Sequence, residues 1–395
     1  MAKRPRLIVA SLVLLGASAV LAIGAGEAAL RLFPQLMPEE ARLRLHWREV
    51  HAEPVSKADP YLGFVYPPNQ KGRFERQGGE FGFSYTTDEH GFRNPSPWPE
   101  RADLVVLGDS MAFGYGVDDE DAWTSLLAKQ RPGSRVINLG LIGAAPQQYF
   151  RIYETFGQAL RPNLVLFCLF PGNDLADALR FDKWLEAGSP GNYEFWRETS
   201  PTRGALRNFL ERSYLVALAR QARDNVDLQF SGRTMEWPDF GRLQLAPGVY
   251  ARNQELAHPD HPAFRSVIDA IERTRALAER GGSRFLVLLV PTKEEVYLPL
   301  LGEEPPPGTA PFATYLSKAE VPYLDLTPYF EAKAREGQKL FFEIDGHPNA
   351  AGYRLMAEVI LNHVWNEVAR SDLTELGAHH PARISDAQHS GAIQH

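Results

Sequence analysis

The sequence has very little cysteine and no excess of positive charge, and both absences narrow the kinds of protein it can encode. The single cysteine, Cys168, excludes an intramolecular disulfide, so cysteine usage does not report the cellular compartment. A formal net charge of −7 argues against a nucleic-acid partner, whose binding surface is normally basic. Apolar residues are 44% and charged residues 23% of the 395, which is typical of a globular protein with a sizeable core.

Missing motifs exclude several enzyme classes. The chain has no G-x-x-x-x-G-K-[ST] loop, which a phosphate-binding P-loop requires. It has no G-x-S-x-G elbow, which argues against the ordinary α/β-hydrolase fold. No paired His and Cys spacing indicates a zinc site, and no internal repeat is present. We therefore expect a catalytic or binding site made from other residue types.

The N-terminus carries a long apolar run. Three basic residues among the first six precede a stretch without charge from Leu7 to Gly26. About 20 apolar residues span a bilayer as a helix, whereas the apolar core of a secretory signal is usually about 7–15 residues. Positive charge before the run predicts a cytoplasmic N-terminus and export of the rest of the chain. We predict an uncleaved signal anchor in residues 1–30, with a cleaved signal peptide as the alternative.

The remaining chain divides into three parts. Residues 31–100 form an N-terminal flanking segment with β elements, because the alternation in "GEFGFSYTTDEHGFRN" is typical of a strand that ends in a turn. Residues 101–370 form the main domain, interrupted by an insertion at about 181–262, and the polar residues 371–395 are predicted to be disordered. Four aromatic residues of the insertion either stack on sugar rings or pack inside it: Trp184, Tyr193, Trp196 and Trp237.

The main domain contains five apolar runs separated by segments with helical spacing. The runs are "LVVL" from 104, "RVIN" from 135, "LVLFCLF" from 164, "RFLVLLV" from 284 and "PYLDL" from 322. The longest are continuous rather than alternating, which is typical of strands buried on both faces. The pattern predicts a three-layer α/β/α fold around a mostly parallel sheet of about five strands. Ligands bind such sheets at the carboxyl ends of the strands.

Four loops near those ends carry chemically useful residues. "GDS" follows the first run and "NLGLIG" the second, "PGND" follows the third, and "EIDGHPNAAGY" lies near the C-terminal end. Together they supply a hydroxyl nucleophile, glycine backbone, a carboxamide and an Asp/His pair. That set of groups suits acyl transfer through a covalent serine intermediate.

These four blocks, in this order, resemble the SGNH/GDSL hydrolase superfamily, which is named for Ser, Gly, Asn and His in separate blocks. The resemblance implies a flavodoxin-like SGNH fold. It makes Ser110 the nucleophile, His347 the general base and Asp345 the acid that orients the imidazole. It assigns the oxyanion hole to the backbone N–H groups of Ser110 and Gly143 and to the side-chain amide of Asn173.

One block departs from the common family pattern, which places Asp three residues before His. Here that position is Ile344, and Asp345 lies two residues before His347. Glu343 and Asp325 are therefore alternative candidates for orienting the imidazole.

The segments "TTDEHGFRN" and "VLLVPTKEEVYLP" resemble a membrane-anchored bacterial branch, in which some relatives act on or acetylate cell-surface polysaccharides. The resemblance implies a serine esterase of the bacterial inner membrane, with its catalytic domain in the periplasm. Its partners would be an ester or acylated glycan (O-acyl groups on carbohydrate or lipid) and the membrane, and it would need no cofactor. The alternatives are an O-acetyltransferase that modifies a surface polysaccharide and a non-catalytic glycan-binding scaffold. The oligomeric state stays open.

Overall fold

The computed structural model describes residues 4–37, 56–76, 80–199, 213–219, 222, 233–237, 241–245 and 255–365. The predicted tail at 371–395 and a large part of the predicted insertion at 181–262 lie outside these residues.

The described chain contains both antiparallel and parallel strands. In chain order they are β1 (Lys57–Asp59), β2 (Gly63–Val65), β3 (Lys71–Glu75), β4 (Gly82–Thr86), β5 (Leu104–Gly108), β6 (Val136–Gly140), β7 (Leu164–Leu169), β8 (Arg233–Trp237), β9 (Gly241–Leu245), β10 (Arg284–Leu289) and β11 (Tyr323–Asp325). They are accompanied by the α-helices α1 (Arg4–Leu32), α2 (Ser110–Phe113), α3 (Trp123–Gln130), α4 (Pro146–Ile152), α5 (Asp174–Glu186), α6 (Tyr193–Thr199), α7 (Pro262–Arg280), α8 (Lys293–Tyr297), α9 (Ala310–Lys318), α10 (Thr327–Arg335) and α11 (Ala350–Ile360).

A five-stranded sheet forms the centre of the main domain. Its order is β11-β10-β7-β5-β6 and all its neighbouring strands are parallel, which confirms the five strands predicted from the apolar runs. The register sets Gly108 opposite Gly140 and Leu107 opposite Phe167. The strand order places β6 on one side of β5 and β7 on the other, so successive strands are added in opposite directions from β5. Ligands bind at the carboxyl ends of strands at such a switch point.

Both faces of the sheet are buried, as the continuous apolar runs predict. Along β5, Val105 and Leu107 enter one core, and Leu104 and Val106 enter the other, with at most 1% of each residue exposed. The first core is closed by α4, α5 and α7, and the second by α3, α10 and α11. Burying a large apolar side chain contributes about 1.5–3 kcal/mol, so alternate residues of each strand stabilise opposite layers. The predicted three-layer α/β/α architecture is confirmed.

The N-terminal helix α1 stands apart from these cores. Its segment Leu14–Leu32 is long and apolar enough to cross a membrane, with a mean hydropathy of 1.4, and none of that segment is buried. By length and composition it agrees with the predicted membrane segment.

The flanking segment packs on the main domain through aromatic side chains. β3 and β4 form an antiparallel hairpin, and β4 is the strand predicted from its alternation. Phe74 and Phe83 lie 5.1 and 5.3 Å from the ring of Tyr115, which follows α2. Phe81 stacks on Phe342 with ring centroids 4.1 Å apart. Through these contacts the hairpin covers loops at the carboxyl ends of the sheet strands.

A buried arginine fixes the turn after α2. Arg93 is 6% exposed and lies in the "HGFRN" segment. Its guanidinium donates to the carbonyl oxygens of Phe113 at 3.2 Å, Gly114 at 2.7 Å and Val117 at 2.7 Å, and it pairs with Asp119 at 2.6 Å. Arginine carries five N–H donors in a rigid fork, so one side chain can satisfy several carbonyls that no strand or helix reaches.

Replacing this arginine should destabilise the fold. Arg93→Met leaves buried carbonyl oxygens without a donor, and we expect the free energy of unfolding to fall by about 3 kcal/mol or more. Denaturant unfolding of the detergent-solubilised chain measures this change. Arg73→Met is the matched control, because the Arg73 side chain is 64% exposed and pairs with an exposed Glu75. That control should lose less than about 1 kcal/mol. Equal losses in the two variants would contradict the assigned role of Arg93.

Candidate active site

Ser110 lies at a tight turn between strand and helix. The strand β5 ends at Gly108, and the carboxylate of Asp109 accepts a hydrogen bond from the Met111 N–H at 2.9 Å, which caps the short helix α2. A Cβ at Gly108 would lie 2.6 Å from the Cβ of Ala112, so only glycine fits there. Ser110 is therefore the first helical residue, held rigidly at the switch point of the sheet with 5% of its surface exposed.

Ser110, His347 and Asp345 form a continuous hydrogen-bonded chain. The Oγ of Ser110 is 2.7 Å from the Nε2 of His347. The Nδ1 of His347 is 2.5 Å from Oδ1 of Asp345, and the same oxygen accepts the backbone N–H of His347 at 2.8 Å. The structure thus brings together a hydroxyl, an imidazole and a carboxylate from three of the positions selected in the sequence. Their roles in catalysis stay predictions.

The second oxygen of Asp345 is held by a residue that sequence reasoning missed. Nη1 of Arg76, at the end of β3, lies 2.6 Å from Oδ2 of Asp345. Burial raises the pKa of the Asp345 carboxyl, but attraction to His347, hydrogen bonds from it and the charge of Arg76 outweigh burial and hold the pKa well below its usual range. The sequence offers no signal for Arg76, because only the fold brings the hairpin to this loop.

The ionised carboxylate sets the tautomer of the imidazole. A carboxylate without a proton can only accept hydrogen bonds, so the proton between Asp345 and His347 must reside on Nδ1. That tautomer leaves a lone pair on Nε2, which faces the Ser110 hydroxyl. The arrangement can therefore accept the hydroxyl proton and hold the resulting imidazolium beside a negative charge.

The two alternative acids are placed elsewhere. Asp325 accepts hydrogen bonds from the N–H and hydroxyl of Thr327 at 2.9 and 2.6 Å. Glu343 faces Arg242, with 3.6 Å between their charged atoms. Of the three candidates named from the sequence, Asp345 is the one that contacts the imidazole.

Gly143 lies in the turn after β6, where the backbone has a positive φ of 71° that favours glycine. A Cβ there would also lie 2.2 Å from Nη1 of Arg197, which donates to the Gly143 carbonyl oxygen at 2.5 Å. Asn138 stabilises the preceding strand end by donating to the Ala112 carbonyl at 2.8 Å and accepting from the Gly140 N–H at 2.8 Å. The loop that carries Gly143 is thus fixed on both sides.

Asn173 is anchored beside the serine through Asp109. Its Nδ2 donates to Oδ2 of Asp109 at 2.9 Å, and that oxygen is 3.4 Å from the Ser110 Oγ. Burial raises the pKa of Asp109, against the hydrogen bonds from Asn173 and from the Met111 N–H. An amide nitrogen carries two protons, and Asp109 accepts one of them.

Two of the four aromatic residues of the insertion are fully buried, and the other two are partly buried against aromatic neighbours. Trp184 and Tyr193 are completely buried, with ring centroids 5.7 Å apart, so the sugar-stacking interpretation is wrong for both. Trp196 stacks on Tyr193 at 6.4 Å, and Trp237 packs against Tyr297 at 5.7 Å.

With the geometry defined, comparison with known families bears on the class of protein. A family model described as the SGNH hydrolase-like domain of the acetyltransferase AlgX matches residues 249–391, which include Asp345 and His347 but not Ser110. The match confirms the resemblance to the SGNH/GDSL superfamily and supports a hydrolase or acyltransferase class.

Several solved structures match about two thirds of the chain. A lipolytic G-D-S-L family member from Veillonella parvula has 14% identity and a TM-score of 0.35, covering 66% of this chain and 97% of its own. A putative one from Desulfitobacterium hafniense has 15% identity and a TM-score of 0.33, with coverage of 65% and 95%. An acetylxylan esterase from Geobacillus stearothermophilus has 12% identity and a TM-score of 0.24, with coverage of 67% and 95%. At these identities and scores the likenesses do not bear on substrate. A search of curated proteins finds no match.

The position of Asn173 predicts a loss of rate when its amide is removed. Asn173→Ala should lower kcat for an aryl acetate by about 10²–10³, the usual effect of losing one oxyanion donor. Steady-state hydrolysis by the detergent-solubilised chain measures it. Asn163→Ala is the matched control, because Asn163 precedes β7 at the opposite end of the strand that Asn173 follows, where its amide donates to Asp103 at 3.3 Å. An unchanged kcat for Asn173→Ala, or an equal loss in the control, would remove Asn173 from the oxyanion hole.

Proposed function

We propose that the chain is a serine esterase that cleaves O-acyl esters of carbohydrate or lipid substrates through an acyl-enzyme intermediate. The observation that carries the proposal is the 2.7 Å contact between Ser110 Oγ and His347 Nε2, backed by a carboxylate that stays ionised. A serine hydroxyl is a weak nucleophile until an adjacent base accepts its proton, and this contact supplies the base. The family match supports acyl-ester chemistry in general.

The first half of the proposed cycle forms the acyl-enzyme. Ser110 Oγ attacks the ester carbonyl while its proton passes to Nε2 of His347. The tetrahedral oxyanion accepts hydrogen bonds from the N–H groups of Ser110 and Gly143 and from Nδ2 of Asn173. The intermediate collapses, the C–O bond to the alcohol breaks, and the imidazolium returns its proton to the leaving alkoxide. Asp345 stabilises the imidazolium throughout.

The second half releases the acyl group. A water molecule gives its proton to His347 and attacks the acyl carbonyl, and a second oxyanion forms in the same hole. Its collapse breaks the bond to Ser110 Oγ, which regains a proton from the imidazolium. The products are a free acid and the regenerated serine, so the proposed cycle uses only side-chain and backbone groups.

The proposed location is outside the cytoplasm, with α1 as an anchor. It is supported by the charge-free run behind three basic residues and by the unburied apolar segment Leu14–Leu32. This topology places the proposed site where surface polysaccharides and lipids are reached.

An O-acetyltransferase is the second candidate, favoured by the family model, whose description names an acetyltransferase. Here a sugar hydroxyl takes the place of water in the second half of the cycle. The two functions differ in product, because a transferase yields an acetylated glycan and an esterase yields free acid. Supplying a polysaccharide acceptor with an aryl acetate donor and assaying both products distinguishes them.

A fluorophosphonate probe tests whether Ser110 is an activated nucleophile. We expect the detergent-solubilised full chain to be labelled at Ser110, with no label in Ser110→Ala. Removing the general base in His347→Ala should slow labelling by about 10²-fold or more. Peptide mapping by mass spectrometry locates and quantifies the label.

The control for the base is His363→Ala. His363 lies in the turn after α11, where its ring contacts Tyr329 at 5.1 Å, and its loss should leave the labelling rate unchanged. A folded chain that takes no label, or takes it elsewhere than Ser110, would contradict the proposal and favour a glycan-binding scaffold without catalysis.

A further inference from the structure

The loop that carries Asp345 is held mainly by side chains. Among the described residues, the segment 342–347 makes two backbone hydrogen bonds: the Phe342 N–H donates to the His347 carbonyl at 3.2 Å, and the Gln244 N–H of β9 donates to the Glu343 carbonyl at 2.7 Å. On its amide side, Glu80 of the β3–β4 hairpin accepts from the Ile344 N–H at 2.6 Å and from the Asp345 N–H at 3.3 Å. On its carbonyl side, the loop faces Lys293 in addition to the Gln244 N–H.

Lys293 gathers four successive carbonyl oxygens around one ammonium. Its Nζ lies 3.1 Å from the carbonyl oxygens of Glu343, Ile344 and Asp345, and 3.4 Å from that of Phe342. An ammonium carries three donors and no acceptor, so it suits a site lined by carbonyl oxygens. Lys293 is 2% exposed, so water does not compete for these donors.

The "PTKEE" sequence explains how this lysine is presented. Thr292 accepts the Glu295 N–H at 3.2 Å, and the Glu295 carboxylate accepts the Thr292 N–H at 2.8 Å, which is a reciprocal capping box. The box starts α8 directly after β10, so Lys293 projects from a rigid helix start at the carboxyl edge of the sheet. The residue is thereby held more firmly than a surface lysine.

The backbone of 342–345 is curled, with its four carbonyl oxygens turned toward Nζ of Lys293. A backbone that turns its carbonyls toward one atom brings the side chain of Asp345 close to the residue two positions later. As a result, Oδ1 of Asp345 accepts both the backbone N–H and the Nδ1 of His347. An extended segment would instead point residues i and i+2 along parallel directions, too far apart for one oxygen to reach both groups.

The buried charge of Lys293 is costly for the fold. Burial lowers the pKa of Lys293 to about 8, while Glu294, Asp345 and Glu80 act in the opposite direction and Lys339 adds to the lowering. Replacing a whole buried ion pair by apolar side chains of similar volume is often neutral or stabilising, but removing one charged group leaves its buried partners without a donor, which is costly. The carbonyl oxygens around Nζ, three of them at 3.1 Å, therefore account for a cation being kept at this buried position.

We propose that Lys293 is a positioning residue, whose ammonium holds the backbone of 342–345 in the curl that sets Asp345 against His347. The expected effect on kcat rests on the proposed function, whereas the expected effect on the contact between Asp345 and His347 does not. Loss of the ammonium should misalign the carboxylate and the imidazole without removing either.

The first test compares kinetics of an aryl acetate in Lys293→Met and Lys339→Met. Lys293→Met keeps the unbranched stem and should lower kcat by about 10–100-fold with little change in KM, because misplacing a catalytic group affects the chemical step. Lys339 lies before the same loop, but its Nζ donates to the Arg242 carbonyl at 2.8 Å and approaches the loop through the Glu343 side chain at 3.9 Å rather than through the loop backbone, so its substitution should leave kcat unchanged. An unchanged kcat in Lys293→Met, or equal losses in both, would overturn the proposal.

A double-mutant cycle separates positioning from general damage. If Lys293 acts through Asp345, then adding Lys293→Met to the Asp345→Asn variant should lower kcat by less than about threefold beyond the effect of Asp345→Asn alone. If the fold-loss of kcat in the double variant equals the product of the two single fold-losses, then Lys293 does not act through Asp345. Should Lys293→Met fail to fold, Lys293→Gln repeats the test with two neutral donors, and a wild-type kcat in that variant would likewise overturn the proposal.

An NMR measurement tests the position of Asp345 against His347 without requiring the protein to be an active esterase. The proton on Nδ1 of His347, bonded to a carboxylate, should give a low-field resonance in ¹⁵N-histidine-labelled protein. The resonance should persist in Lys339→Met and disappear in Lys293→Met; persistence in Lys293→Met overturns the inference. A wild-type chain that shows the resonance but takes no fluorophosphonate label would refute the proposed function and leave the positioning role intact.

Discussion

The buried carboxylate of Asp345 is the feature on which the candidate site depends. One of its oxygens faces the ring and backbone of His347, and the other faces Arg76. Burial alone would favour the protonated acid, and only the surrounding positive charge and donors keep it ionised. Its ionisation fixes the imidazole tautomer, which in turn directs a lone pair at Ser110. Without that charge, the serine would face a ring nitrogen of undefined role.

The carboxylate is supported from two regions of the chain that are far apart in sequence. The β3–β4 hairpin supplies Arg76 and Glu80, and α8 supplies Lys293. The flanking segment therefore covers the loops of the candidate site and also contributes charged groups to it. Its aromatic contacts with Tyr115 and Phe342 place the hairpin where those charged groups can reach the loop. The flanking segment thus contacts the proposed catalytic machinery directly.

The local sequence pattern was enough to predict the sheet and the position of Ser110 at a strand end, because short segments determine both. Continuous apolar runs identify strands buried on both faces, and "GDS" at the end of one of them marks the turn that holds Ser110. The shortened Asp-x-His spacing left three acids open, and only the folded loop selects Asp345 for the contact. Arg76 gave no sequence signal, and Lys293 lay in a segment noted only for its family resemblance, because the roles of both depend on a carboxylate and on carbonyls from distant segments. The sequence also left open whether Trp184 stacks on a sugar or packs in the core, because an aromatic residue gives the same sequence pattern in both settings; the structure buries it.

The proposed reaction requires a covalent acyl ester on the Oγ of Ser110, and trapping this acyl-enzyme tests the proposal most directly. The solubilised full chain would be mixed with an aryl acetate, quenched in acid during turnover, and mapped by mass spectrometry. We expect one acetyl group on the peptide that contains Ser110, and neither an acetyl group nor turnover in Ser110→Ala. Turnover that leaves Ser110 unmodified, or that continues at the same rate in Ser110→Ala, would rule out an acyl-enzyme at Ser110.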